Sequence, residues 1–269
     1  MVNDIQLLYG DYWGADHGTA EALIGTSLQP RDMDSLYELF EQSGVNQSDL
    51  VLDIGCRDAK HAIEIARRHG CRVIGVDPVP YNVEIARELI ANWSMDGMVS
   101  VEPGQIESLP FEDASIDHIW CRDVLNHVDL AAGLAECRRV LKPGGWMMAY
   151  QTFAGEYLEP AEATRMFAAL SIVPENMSTL AFQETAEQSG MSIEVKDIIA
   201  SEWRECWIEN DDLSIATDLL KIARMRRAEE EMVERIGRGR YEAELAVRLW
   251  GVYQILGKLM PVAYLLRKA

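Results

Sequence analysis

Residues 50–70 read LVLDIGCRDAKHAIEIARRHG, and the fold is decided there. Leu50 to Ile54 is a short apolar run closing on Asp53, Ile54 and Gly55. Ala62, Ile63, Ile65 and Ala66 then recur at helical spacing until Gly70 stops them. The order is strand, tight turn, helix. Outward from it, Cys71 to Val76 is a second β-rich run ending on Asp77 and Pro78, with a helical pattern from Val83 to Trp93 and a short strand near Met98 to Val101. Ser115 to Cys121 reads as a fourth strand and Leu130 to Leu141 as an amphipathic helix. Lys142-Pro143-Gly144-Gly145 is a turn into a fifth strand, Trp146 to Gln151. Strands alternating with helices imply an α/β fold whose mostly parallel sheet is doubly wound, because parallel connections need right-handed crossovers.

Beyond Thr152 the pattern changes. Gly155 to Leu170 and Glu202 to Leu256 read mainly as helix, while Ile193 to Ile199 and Pro261 to Arg267 are strand candidates able to complete the same sheet. One domain is expected overall: an amino-terminal lid segment over 1–30, a Rossmann-like core over 31–152, and completion of the sheet with helical inserts over 153–269.

A chain of 269 residues is long enough for a substantial core. With Lys+Arg 25 against Asp+Glu 44, the net charge of −19 opposes sequence-independent binding to nucleic acid. No apolar stretch approaches the ~20 residues of a membrane-spanning helix, and the amino terminus lacks the basic flank of a secretory signal. A cytoplasmic location without membrane partners is the expectation. Cys56, Cys71, Cys121, Cys137 and Cys206 are odd in number and widely spaced, so reduced buried thiols are expected rather than a metal centre.

In an open α/β sheet, ligands bind at the carboxyl ends of the strands where strand order reverses. The turn after the first strand keeps only one glycine, Gly55, of the G-x-G-x-x-G that a pyrophosphate needs, and no Walker-type run is present. NAD and ATP are thereby disfavoured. Asp53 and Asp77 end two consecutive strands, and Asp77 is placed to accept hydrogen bonds from both hydroxyls of a ribose. A nucleoside without phosphates fits these residues.

At this point the chain resembles the class I S-adenosylmethionine-dependent methyltransferases of small-molecule type. The resemblance runs through Val51-Leu52-Asp53-Ile54-Gly55-Cys56, Val73-Ile74-Gly75-Val76-Asp77, Ile106-Glu107-Ser108-Leu109-Pro110-Phe111, Ile116-Asp117-His118-Ile119-Trp120-Cys121 and Leu141-Lys142-Pro143-Gly144-Gly145-Trp146. It implies a seven-stranded sheet with the last strand antiparallel, S-adenosyl-L-methionine as cofactor and S-adenosyl-L-homocysteine as product. It implies further that Gly55 and Cys56 touch the methionine part, that Pro78 and Val79 pack on the adenine, and that Gln105 and Ile106 hold its amino edge. The Cys121 carbonyl would take the cofactor's amino group, with Asp123 close by unless it is an N-cap. Tyr12 and Trp13, in Tyr9-Gly10-Asp11-Tyr12-Trp13-Gly14, resemble a segment that covers the cofactor. The family pattern is broken where Arg57 and Ala59 stand for glycine or a small residue, and where Gln105 stands for aspartate. If position 57 needs φ > 0, arginine costs of order 1 kcal/mol there; its guanidinium either reaches the cofactor's carboxylate or points to solvent and a surface acid.

Methyl transfer needs alignment and, for an acceptor not already anionic, a base. His127, after the fourth strand, is the candidate base, with a structural role as its alternative; His61 and His69 read as structural. The acceptor is expected to be a partly apolar small molecule, held by inserts that supply Phe153, Tyr157, Met166, Phe167, Trp203, Trp207, Trp250 and Tyr253. The basic residues between Lys221 and Arg240 are interleaved with glutamates and read as a solvated helix face. A methyltransferase acting on O, N or C is the first reading. A cofactor-binding relative that has lost transfer is the second, with homo-oligomerisation left open.

Overall fold

The computed structural model describes residues 17–25 and 31–269. Two helices, α1 (His17–Ile24) and α2 (Met33–Glu41), precede β1 (Leu50–Ile54), α3 (Lys60–His69), β2 (Arg72–Asp77), α4 (Pro80–Asn92) and β3 (Val99–Pro103). Next come β4 (Ile116–Arg122), α5 (Leu130–Val140) and β5 (Leu141–Ala154), then α6 (Pro160–Leu170), α7 (Thr179–Gln188) and β6 (Met191–Ile198). Four helices, α8 (Glu202–Glu209), α9 (Ser214–Arg227), α10 (Glu229–Ile236) and α11 (Arg238–Ile255), lead into β7 (Leu259–Lys268).

The strands form one seven-stranded sheet in the order β3-β2-β1-β4-β5-β7-β6. β1 pairs in parallel with β2 and β4, whereas β7 runs antiparallel between β5 and β6. This is the class I methyltransferase fold. Strand order reverses between β1 and β4, so the crevice at their carboxyl ends is where a ligand is received.

Side chains alternate across the sheet and divide the core in two. Val51, Val73, Val99, Trp120, Met148 and Tyr150 face α2, α3 and α4, whereas Leu52, Ile54, Ile119, Cys121, Met147 and Tyr264 face α5 and α7. Both faces are covered, which is why these strands read as near-continuous apolar runs. Each fully buried Val, Leu or Ile contributes about 1.5–3 kcal/mol relative to exposure. Two smaller clusters lie within the inserts, one around Met166, Phe167 and Tyr253, the other around Ile215, Tyr241 and Leu245.

One boundary differs from the sequence reading. Lys142-Pro143-Gly144-Gly145 is a bulge inside a continuous β5, because the partners of β4 step from Leu141 to Trp146 while β4 advances only from Ile116 to His118. Gly144 takes φ +76°, and a Cβ on Gly145 would stand 2.8 Å from the Asp117 carbonyl oxygen, so the glycines make this bulge possible.

Candidate functional site

At the reversal of strand order lies a crevice of about 880 Å³. Asp53, Gly55, Cys56, Arg57, Asp77, Pro78, Val79, Gln105, Ile106, Asp123 and His127 all line it. Cys121 does not: it lies within β4, paired with Ile54 and Ala149, and the strand reaches the crevice one residue later, at Arg122. Tyr12 and Trp13 lie outside the described residues.

The turn after β1 is left-handed at three alternate positions, with φ +71° at Gly55, +49° at Arg57 and +61° at Ala59. Only Gly55 is also crowded: a Cβ there would stand 2.3 Å from Val124 Cγ2. A bare backbone is required at that point and tolerates no substitute. Arg57 and Ala59 each carry a strain of about 1 kcal/mol that glycine would not. The turn is tied to the end of β2, since the Gly55 and Cys56 amides donate to the Val76 carbonyl at 2.8 and 3.1 Å.

Asp77 is buried and well occupied. Its Oδ1 accepts from the Val79 amide at 2.9 Å and from Asn82 Nδ2 at 3.0 Å, and its Oδ2 accepts from the Arg57 amide at 3.0 Å. A carboxylate offers about four acceptor sites, so one remains for a ligand hydroxyl. Binding both hydroxyls of a ribose requires the Asn82 amide to turn away.

Asp53 is 2% exposed, and its Oδ2 has no hydrogen-bond partner. Burial raises its carboxyl to about 7, reinforced by the Asp77 charge and opposed by the Ala62 amide and Arg122. A buried orphan oxygen lining a crevice is what a donor or cation on a ligand would satisfy. Burial also pushes the Cys56 thiol up, so that side chain packs against Gly75 rather than reacting.

Asp123 sits at φ +54°, with its amide donating to the Tyr150 carbonyl at 2.9 Å and Thr152 Oγ1 donating to its Oδ1 at 3.5 Å. It caps no helix. That task belongs to Asp129, whose side chain accepts from the Ala132 amide at 3.0 Å.

His127 ends a single 3₁₀ turn, Leu125–His127, and is exposed. Its Nδ1 lies 3.1 Å from the Ser171 carbonyl, and a carbonyl only accepts, so Nδ1 carries the proton. The neutral ring then has its lone pair on Nε2, as a base requires. Asn176 fixes this loop from below by donating to the Leu125 and Val128 carbonyls at 2.7 and 2.8 Å, while Gln151 Nε2 donates to the Asn176 carbonyl at 2.8 Å.

Met33, Lys60, Asn82 and Arg122 line the crevice as well and escaped the sequence reading, and His61, read there as structural, lines it too. Arg122 had a signal: a cation directly after an apolar strand at the ligand-bearing edge. His61 opens the helix that follows the turn, yet its place beneath the crevice depends on packing against α2. The insert aromatics do not line the crevice. Met166, Phe167, Trp250 and Tyr253 pack together under α6 and α11, Phe153 is in the core, and Trp203 packs on Tyr150 with ring centroids 5.4 Å apart. Met166 and Tyr253 instead line a second cavity of about 430 Å³ between α6 and α11.

Comparison with known proteins bears on the family and the fold. Residues 52–149 match the family described as a methyltransferase domain. The chain is similar to a sterol 24-C-methyltransferase of Eremothecium gossypii, 31% identical over 140 residues that make up 52% of this chain and 38% of that protein. It is also similar to the O-methyltransferase resE of Aspergillus sclerotiorum, 30% identical over 53% of this chain and 54% of that one. The chain thus matches about half or less of the length of these relatives. Among solved structures, a geranyl diphosphate C-methyltransferase from Streptomyces coelicolor A3(2) superposes with TM-score 0.67 at 15% identity, covering 88% of this chain and 76% of that one.

Proposed function

Because residues 52–149 belong to the methyltransferase-domain family and the sheet has the class I order, we propose that this chain transfers a methyl group from S-adenosyl-L-methionine to an O, N or C atom of a small organic molecule. The observation that carries this reading is the Gly55 turn. Its bare backbone, the orphan Asp53 oxygen below it and the Asp77 carboxylate beside it together suit a nucleoside with an amino-acid tail and no phosphates.

When bound, the cofactor supplies an electrophilic methyl group on a sulfonium. The chain's own residues do the rest. Asp77 and Asn82 receive ribose hydroxyls, Val79 and Ile106 offer apolar surface to a base, and Gln105 offers an amide to its edge. Asp53 places a carboxyl where positive charge gathers, and gives up its proton more readily as that charge arrives. His127 Nε2 takes a proton from a neutral acceptor. Met33, Val124 and Val128 add apolar surface to the crevice lining, which fits a partly apolar acceptor.

Incubating the full chain with methyl-labelled cofactor and a panel of cell extracts tests the proposal. Label passing to an organic-soluble product supports it; tight cofactor binding with no transfer to any extract favours the reading in which transfer has been lost. Replacing His127 with Gln should lower kcat about 10²-fold or more if the ring is the base, and leave cofactor affinity unchanged.

A further inference from the structure

The least explained group in the crevice is Arg122. Its Nη1 donates to His61 Nε2 at 3.1 Å, and Tyr37 Oη lies 2.8 Å from His61 Nδ1. Guanidinium nitrogens only donate, so Nε2 is the acceptor and the His61 proton is on Nδ1, directed at Tyr37. His61 is therefore neutral, and burial together with the Arg122 charge holds it down to about 4. The arginine ends on an uncharged partner.

Among the described residues, no carboxylate accepts a hydrogen bond from Arg122, and Asp123 is its ion-pair partner. The Arg122 Nε is buried without a hydrogen-bond partner, and it pairs with Asp123 Oδ2 only at 3.9 Å, beyond hydrogen-bond reach. A second guanidinium, Arg204, also ends on a neutral group, donating to Gln254 Oε1 at 2.5 Å while lying 4.2 Å over the Trp207 ring. Both arginines lie near Asp123, while Arg122 also faces Asp53 and Arg204 also faces Asp218. Among the described residues, Arg122, Arg57 and Lys60 are the three cations of a crevice that Asp53, Asp58, Asp77, Glu107 and Asp123 also line.

Arg122 is nevertheless held in place. Its guanidinium lies 5.4 Å from the Tyr150 ring centre and 5.7 Å from that of Trp203. Trp203 comes from the insert helix α8 and Tyr150 from β5, so the cation stands at the seam between the cofactor core and the insert. A planar fork fixed by two rings and one imidazole, on a side chain that lines the crevice, is pre-organised for an oxyanion.

We propose that Arg122 receives a carboxylate or phosphate group of the methyl acceptor, so that the substrate is an anionic small molecule with an apolar portion. This rests on the methyltransferase reading above. Met33 would meet the apolar part, and Tyr37 with His61 are positioning residues that hold the fork.

The test uses the full chain saturated with S-adenosylhomocysteine, titrated calorimetrically with inorganic phosphate and, separately, with hexanoate. At least one should bind saturably, one to one, and R122Q should weaken that binding about tenfold or more while R122K keeps part of it. Thermal melts of both variants confirm that they are folded. No saturable binding of either anion, or equal binding by R122Q, overturns the proposal. A second arm compares S-adenosylhomocysteine with 5′-methylthioadenosine, which lacks the amino-acid carboxylate. If R122Q loses affinity for the first and not the second, the fork belongs to the cofactor's own tail and the proposal is overturned. The wild type's affinity for S-adenosylhomocysteine is read in the same series, so failure of the cofactor reading shows itself separately, as absence of that binding.

Discussion

Replacing Asp53 with Asn tests the electrostatics of the crevice floor. Asp53 is buried with one oxygen unpartnered, and its carboxyl is raised from 3.8 to about 7. The folded state holds this proton more tightly than the unfolded chain, so the contribution to stability is fully present below pH ~4 and is lost as pH rises through about 7. At about 1.4 kcal/mol per tenfold change in proton affinity, the loss is of order 4 kcal/mol across that window. D53N preserves the shape and removes the titration. Urea unfolding of both proteins between pH 4.5 and 8.5 should therefore show D53N gaining on the wild type by a few kcal/mol from the acid to the alkaline end. An amide left with an unmatched donor adds only a constant offset, so the slope of the difference is the decisive quantity. A difference independent of pH would refute the assignment of a raised carboxyl at this position.

Other perturbations address the turn and the loop. G55A pushes a Cβ to 2.3 Å from Val124 Cγ2 at φ +71° and should abolish S-adenosylhomocysteine binding by calorimetry while lowering the melting temperature. R57G relieves left-handed strain at φ +49° and should stabilise the chain by up to about 1 kcal/mol in the same urea assay. N176A strips the Leu125 and Val128 carbonyls of their buried donor, which should cost about 1–3 kcal/mol for each group left unpaired. Because that loop carries His127, kcat should fall with no change in cofactor affinity.

The core of the fold was legible because both its faces are covered: Val51 to Ile54 and Val73 to Val76 declare themselves as strands by apolar runs, and Gly55 and Gly70 mark the ends of turn and helix. The need for φ > 0 at Arg57 was also legible, as a departure from glycine in a turn of known shape. Spacing along the chain could not show how many donors already occupy Asp77, since Asn82 reaches it from the next helix. Nor could spacing show which way the insert residues face: Met166, Phe167 and Tyr253 share one apolar cluster, and Met166 and Tyr253 line a cavity separate from the crevice. Arg122, His61 and Tyr37 come from β4, α3 and α2, and only tertiary packing brings them into one line.

Titration of the wild-type chain with S-adenosylhomocysteine by calorimetry tests the central claim most directly. The claim requires saturable one-to-one heat with release of protons near pH 7, because the ligand's ammonium group favours the charged form of Asp53. A flat titration at every attainable concentration would contradict it.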